Sequence, residues 1–206
     1  MIKIAKQSAT VFQHTCTYPY APAACIIAEV AGTCYAKDID EAKAVEFCKK
    51  LISKGHESPF EFYQIGFDIL TSRAVSHELV RHRIASYMQE SQRYVSYRDC
   101  LTVIKPSNLP ESCVPIWTEA MESGWADYCK LLDAGAKKED ARTVLPNSTA
   151  TRIRMTMNLR SFRNFLRLRT HLTAWSEIRV LANLCAEAAL LDTTILPLIE
   201  DVWHKG

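Results

Sequence analysis

Arg81-His82-Arg83-Ile84-Ala85-Ser86-Tyr87-Met88-Gln89-Glu90-Ser91-Gln92-Arg93-Tyr94 packs three arginines, a histidine, two serines, two glutamines and a glutamate into fourteen positions. Core packing requires no such mixture. A guanidinium presents five donors in a planar fork that matches phosphate or carboxylate. Three such forks with hydroxyls and amides between them suit a phosphorylated, hydrogen-bond-rich ligand. The competing reading is a solvated charged loop, the common fate of long charged side chains.

The order Arg-His-Arg, seven residues, Ser, one residue, Arg resembles the signature of the flavin-dependent thymidylate synthases, carried here by Arg81-His82-Arg83, Ser91 and Arg93. Further blocks follow the same family in order. They are Gly55-His56-Glu57-Ser58-Pro59-Phe60-Glu61, then Ala141-Arg142 before Val144-Leu145-Pro146, then Asn158-Leu159-Arg160-Ser161. Leu166-Arg167-Leu168-Arg169 before Glu177-Ile178-Arg179 completes the set. Arg-His-Arg alone is a weak signal, but five ordered blocks spread over most of the chain are a strong one.

The resemblance implies a single domain over residues 1–206, α/β of the α+β type. Its twisted, mostly antiparallel sheet would be flanked by helices in the thymidylate synthase-complementing fold. It also implies a homotetramer with shared active sites, working in the cytoplasm. The implied reaction is reductive methylation of dUMP to dTMP, with 5,10-methylenetetrahydrofolate as carbon donor and FAD, reduced by NADPH, as hydride carrier. No protein side chain supplies a hydride, so a redox cofactor is required for that chemistry.

Site roles carry over from the family position by position. Arg81, His82 and Arg83 would contact the flavin, with Ser58 as a hydroxyl donor, Gln89 nearby, and Asn158, Arg160 and Asn164 as a second flavin-binding group. Gln89, Glu90, Ser91, Gln92 and Arg93 would wrap the nucleotide, with Glu78, Arg81 and Arg142 completing its site. Arg169 would lie against the uracil ring. His56 is a positioning residue near folate or a structural hydrogen-bonding group. A serine nucleophile needs an adjacent base, and no histidine neighbours Ser91, so phosphate or ribose binding is the better role for it.

Arg169 has a second, independent argument. At 100° per residue Phe162, Phe165, Leu166 and Arg169 share one helical face, with Arg160, Arg163, Asn164 and Arg167 elsewhere. A charge ending an apolar stripe is costly without a partner. It either snorkels past the helix end or points into a protected pocket, where it would stabilise a developing anion.

Composition is compatible with these readings. A chain of 206 residues buries a real core, and a net charge of +2 gives no global attraction to nucleic acid. No apolar run is long enough to span a membrane, and Met1-Ile2-Lys3-Ile4-Ala5-Lys6 does not resemble a signal peptide. The eight cysteines, at 16, 25, 34, 48, 100, 113, 129 and 185, show no close pairing of the kind that metal sites use, so no metal is expected. Cys48 lies on an apolar helical face, and Cys34 falls in a region where the family places a small polar residue near the site.

Periodicity predicts a helix from an Asp40 cap to Lys54, ended by Gly55. It further predicts an extended run over Phe60–Ile69, a helix over Ser72–Arg83, a helix over Ile116–Leu132 and a strand over Thr149–Met157. Helices over Leu159–Arg169 and Thr173–Leu191 close the chain.

The chain departs from the family at Thr173 and Trp175, where a His-Ala-Gln run is common, and at Met88, which reads as a packing residue. Two alternatives stay open. One is a related flavin- and folate-dependent methylase or hydroxymethylase of another pyrimidine nucleotide. The other is a nucleotide- or RNA-binding module, which predicts a basic surface with exposed aromatics.

Overall fold

Ile153, Met155 and Met157 are buried while Arg152 before them and Arg154 between them are exposed, the alternation that a half-buried strand imposes. The computed structural model describes residues 1–15 and 21–205; Cys16 lies outside them. In chain order the strands are β1 (Ile2–Ala5), β2 (Ser8–His14), β3 (Gln64–Ser72), β4 (Ser86–Gln89), β5 (Leu101–Ile104) and β6 (Ala150–Asn158). The helices are α1 (Ala23–Gly32), α2 (Ala44–Ser53), α3 (Arg73–Leu79), α4 (Val114–Asp133), α5 (Lys138–Ala141), α6 (Leu159–Arg169), α7 (Ser176–Ala189) and α8 (Leu196–Ile199).

β1 and β5 pair in parallel, with Ile2 opposite Leu101. A four-stranded sheet has the order β2-β3-β6-β4. Its strands are antiparallel where end contacts define direction. Thr15, just past β2, donates its amide to Gln64 at the start of β3 (2.7 Å). The residues flanking β3 pair with the opposite ends of β6, through Arg73 N to Thr149 O (2.9 Å) and Leu159 N to Tyr63 O (2.8 Å). Gly66 in β3 has a packing reason, because a Cβ there would come within 3.0 Å of the Phe12 ring. The expected α+β architecture, an antiparallel sheet flanked by helices, is what the chain forms.

Two compact units share the chain. The first comprises Met1–Ser8, Ile69–Arg81 and Met88–Ile153; the second comprises Ala9–Asp68, His82–Tyr87 and Arg154–Gly206. In the first, Tyr97, Leu101, Val103, Met121, Tyr128 and Ala141 form the core against one face of α4. In the second, Phe67, Phe162 and Phe165 stack in series, with ring centroids 5.2 and 6.2 Å apart. There the buried Asp192 carboxylate accepts from the Ala23 amide (2.7 Å) at the start of α1 and from the Tyr63 hydroxyl (3.3 Å). No helix among the described residues is long and apolar enough to cross a membrane.

Local sequence rules account for most boundaries. Asn158 Oδ1 accepts from Ser161 N (2.8 Å) and Ser72 Oγ from Val75 N (3.2 Å), so each caps the helix that follows it. Asp40 accepts from Ala42 N and starts a short 3₁₀ turn, Glu41–Lys43, ahead of α2; Gly55 follows at φ 71°.

Five expectations are corrected. Ser58–Phe62 forms a 3₁₀ turn, so the strand begins only at Gln64. α3 stops at Leu79, leaving Arg81-His82-Arg83 outside the helix, and α7 starts at Ser176 rather than Thr173. Met88 is 77% exposed and is no packing residue within this chain. Arg163, placed off the apolar stripe of α6 by its angle, has a side chain only 1% exposed.

Arg163 is held by charge. Its Nη atoms donate to both carboxylate oxygens of Asp201 (2.7 and 2.8 Å), to Glu57 Oε1 (3.3 Å) and to the Leu198 carbonyl. Removing one partner of a buried pair leaves an uncompensated charge. Burial works against the Asp201 charge, but the hydrogen bonds and charge of Arg163 outweigh it and hold that carboxyl below the usual carboxylate range. This stabilisation is present above the unfolded carboxyl value of about 3.9 and is lost as pH falls through the lower folded value. Asp201→Asn should therefore lower the unfolding free energy at neutral pH by about 1–2 kcal/mol, after discounting for the exposed side of the carboxylate. In urea titrations its gap to wild type should close below about pH 4; a gap independent of pH would remove Asp201 from the pair.

Candidate active site

The first unit gathers Glu78, Arg81, Gln89–Arg93 and Arg142. β4 ends at Gln89, whose amide Nε2 donates to Ser76 Oγ (2.9 Å) and Thr151 Oγ1 (3.2 Å). Glu90 N donates to the Arg152 carbonyl (2.8 Å), Arg73 Nη1 donates to the Glu90 carbonyl (3.2 Å), and the Tyr97 hydroxyl donates to Glu90 Oε1 (2.6 Å). The amides of Tyr94 and Val95 fold back on the Ser91 carbonyl, and Arg93 N meets Ser91 Oγ (3.3 Å). Gln92 is buried, whereas Ser91 is half-buried beside it.

Arg93 and Arg142 meet at one residue. Arg93 Nε lies 3.2 Å from Glu139 Oε2, and Arg142 Nε donates to the Glu139 carbonyl (3.1 Å). The first contact gives Arg93 an acidic partner on α5. Both side chains of that ion pair are open to water, 56% and 40% exposed, so the pair is weak. A cavity of about 600 Å³ with Arg93, Ser96, Arg98, Lys137, Lys138 and Glu139 in its wall adjoins it. Glu78 stands half-buried on α3, and Arg81 is exposed.

The second unit gathers Ser58, His82, Arg83, Asn158, Arg160, Asn164 and Arg169. α6 presents four of these, because Asn158 caps it and Arg169 ends it. Arg169 Nε donates to His82 Nε2 at 3.0 Å, and the His82 ring meets the Phe165 ring edge-on at 5.0 Å. Burial, and then the Arg169 charge, push the His82 pKa down to about 4. The imidazole is therefore neutral at pH 7, with Nε2 unprotonated and able to accept. The guanidinium ending the stripe is half-buried and bonded to this ring, which favours the pocket reading over snorkelling. Arg160 pairs with Glu61 (2.6 Å) at the surface, and Asn158 Oδ1 is engaged in the helix cap. Ser58, Arg83 and Asn164 are exposed.

A flavin needs hydrogen-bond donors for its ring carbonyls and cations for its phosphates. Exposed Ser58, Arg83 and Asn164, with half-buried His82 and Arg169, supply both, so the donor set fits. Thr173 is occupied, since its Oγ1 lies 2.8 Å from His171 Nδ1; Trp175 is 44% exposed. Burial pushes Cys48 up to about 12 and also raises Cys25 and Cys185, so none of the three is a ready thiolate. Cys34 is exposed and His56 stands at the surface.

Sequence reasoning missed Arg73, Tyr97, Glu139 and Arg163. None belongs to a motif, and each acts across 7 to 106 residues of chain, a pairing that spacing does not reveal.

The family model for thymidylate synthase complementing protein matches residues 17–190. The flavin-dependent thymidylate synthase of Clostridium tetani is 39% identical over 184 residues, covering 77% of this chain and 74% of its own. That of Geobacter sulfurreducens is 42% identical over 168 residues, covering 76% and 72%. Among solved structures, a UMP/dUMP methylase, PolB, from Streptomyces cacaoi bound with 5-Br dUMP superposes with a TM-score of 0.82. It is 23% identical and covers 96% of this chain and 97% of that one, a likeness of fold.

The neutral state of His82 is directly measurable. Imidazole NMR should show no titration of His82 between pH 5.5 and 8.5, windows flagged by the ordinary value of about 6.5. In Arg169→Gln its pKa should rise yet stay below that value, since burial is the larger cause. Below about pH 6.5 the unfolded chain binds a proton that the folded chain refuses, so this residue lowers stability as pH falls toward 4. A His82 that titrates near 6.5 in the wild type would refute the pairing.

Proposed function

The chain belongs to the thymidylate synthase complementing protein family, and we propose that it catalyses the reductive methylation of dUMP to dTMP. The whole chain, 1–206, serves as one catalytic domain in the cytoplasm. 5,10-Methylenetetrahydrofolate is the carbon donor. FAD, when bound and reduced by NADPH, supplies the hydride that turns the transferred methylene into methyl.

The observation that carries this reading is Arg169 held on neutral His82. A fixed guanidinium in a half-buried position stabilises negative charge developing on a uracil ring deprotonated at N3, and so raises the nucleophilicity of C5. Its hydrogen bond to a neutral ring fixes the orientation without adding a second cation. Ser91, Arg93 and Arg142, with Glu78, Arg81, Gln89 and Gln92, take the nucleotide. Arg93 exchanges Glu139 for phosphate. Ser58, Arg81, His82, Arg83, Gln89, Asn158, Arg160 and Asn164 hold the flavin. Exposed Ile84 and Met88 suit contacts between subunits of a homotetramer, which sedimentation would measure.

A yellow purified protein that methylates dUMP is the first expected result; a colourless one without activity rejects the reading. Arg169→Ala should fold, bind FAD and be reduced by NADPH, yet lose about 10²–10³ in dTMP formation. Arg169→Lys should also be badly impaired, because it lacks the fork. Wild-type turnover in Arg169→Ala would make this arginine a surface residue. Arg93→Ala should weaken dUMP binding by calorimetry at least tenfold, the equivalent of about 1.5–3 kcal/mol, and leave FAD bound. Each of the eight cysteines, replaced singly by serine, should leave measurable methylation in every variant that folds; one folded, flavin-bound, inactive variant would show thiol catalysis.

A further inference from the structure

Glu90 stands beside Ser91 and two residues from Arg93, where a free carboxylate would repel a nucleotide phosphate. Its half-buried carboxylate has a fixed donor. Tyr97, a buried residue, donates its hydroxyl to Glu90 Oε1 at 2.6 Å. Tyr97 is itself immobilised, since Trp125 Nε1 donates to its carbonyl (2.8 Å) and its amide meets the Tyr128 hydroxyl (3.4 Å). The backbone of Glu90 is fixed as well. Its amide donates to the Arg152 carbonyl, and its carbonyl accepts from Arg73 Nη1, which also reaches Thr151 Oγ1 at 3.5 Å. Glu90 is thus tied at amide, carbonyl and carboxylate, while the neighbouring Ser91 turn carries the hydroxyl and the guanidinium that bind anions.

We propose that Tyr97 is a positioning residue for nucleotide binding, which draws the Glu90 carboxylate away from the phosphate and fixes the Ser91–Arg93 turn, with Arg73 bracing the same residue from the backbone side. Glu90 is then a strut and not a nucleotide ligand. The inference rests on the nucleotide reading above and assigns work within that site to two residues, Arg73 and Tyr97, outside the sequence motif.

The phenol is buried, and burial together with the Glu90 hydrogen bond raises its pKa above the usual tyrosine value. It therefore remains a donor throughout the neutral range. Removing the hydroxyl releases a carboxylate, and the harm it does is reversible by removing the charge. A residue that merely filled the core would not behave so.

The test is a double-mutant cycle on the full-length protein, with dUMP as the probe in calorimetry and in the methylation assay. Tyr97→Phe should raise the dUMP Kd and KM about tenfold, the loss expected for a hydrogen bond to a charged group, with kcat within about threefold and FAD content unchanged. Glu90→Gln alone should bind dUMP within about threefold of wild type, because its amide oxygen still accepts from Tyr97. Introduced into Tyr97→Phe, Glu90→Gln should restore most of the lost affinity. Tyr97→Phe with wild-type dUMP affinity overturns the proposal, as does a double mutant no better than Tyr97→Phe. Should Tyr97→Phe fail to fold, Glu90→Gln decides alone: a loss of tenfold or more would make the carboxylate charge a ligand and reject the strut. Wild-type protein that binds no dUMP would instead refute the nucleotide reading, and this inference with it.

Discussion

A guanidinium cannot be buried without its countercharges, and Arg163 is buried almost completely. That requirement organises the second unit. Asp201 and the Leu198 carbonyl come from the C-terminal segment, Glu57 from the turn before β3, and Arg163 from the middle of α6. One charge thus ties two other stretches of chain to a single helix. Glu57 immediately precedes Ser58, and α6 carries Asn164 and Arg169 beyond the pair. Six residues separate Arg163 from Arg169, about 9 Å of helix rise, so fixing the one limits where the other can reach. Well-packed apolar residues could supply equal or greater stability at such a place. What the ion pair adds is direction: a bidentate fork accepts one orientation of its carboxylate, and that orientation sets the segment beside it.

The first unit orders its loop mainly with single hydrogen bonds to amides, hydroxyls and carbonyls. Between Gln89 and Arg93, Gln89 and Glu90 have defined partners in Ser76, Thr151, Arg73 and Tyr97. Ordering a polar loop costs conformational entropy of about 1–2 kcal/mol per residue. When that cost is met during folding, binding does not bear it, and a charged ligand meets a preformed turn.

The sequence was most legible where chemistry is local. Asn158 and Ser72 announce helix starts through their own side chains, and the bounds of α6 follow from apolar spacing. Arg169 was recognisable as an anomaly because a charge closed an apolar stripe. Arg163 was not, although it lies on the same helix and is far more buried. Helical angle gives the direction of a side chain and says nothing about what arrives to cover it. Its partners arise far away in sequence, 106 residues before it at Glu57 and 38 residues after it at Asp201. The same blindness hid Tyr97 and Glu139. The 3₁₀ turn over Ser58–Phe62 was misread as strand because Phe60 and Phe62 alternate, while the Pro59 that favours a tight turn counted for less than it should have.

In the nucleotide role proposed for it, Arg93 would be held without being blocked. An exposed ion pair such as that with Glu139 contributes about 0–1 kcal/mol, enough to bias the side chain toward one rotamer. A phosphate offers a fork-shaped guanidinium two parallel charge-assisted hydrogen bonds, each about twice as strong as a neutral one. The exchange of carboxylate for phosphate is therefore favourable, and the small loss at Glu139 is shared with water, which reaches that carboxylate already. Arg169 is under the opposite constraint. Its partner is neutral, and a ring that binds a proton only near pH 4 does not compete for its charge. The full electrostatic effect of the guanidinium remains for whatever anion forms beside it. One arginine is restrained by a weak opposite charge that a stronger one displaces, the other by a dipole that leaves its charge intact. The first arrangement suits capture, and the second suits catalysis.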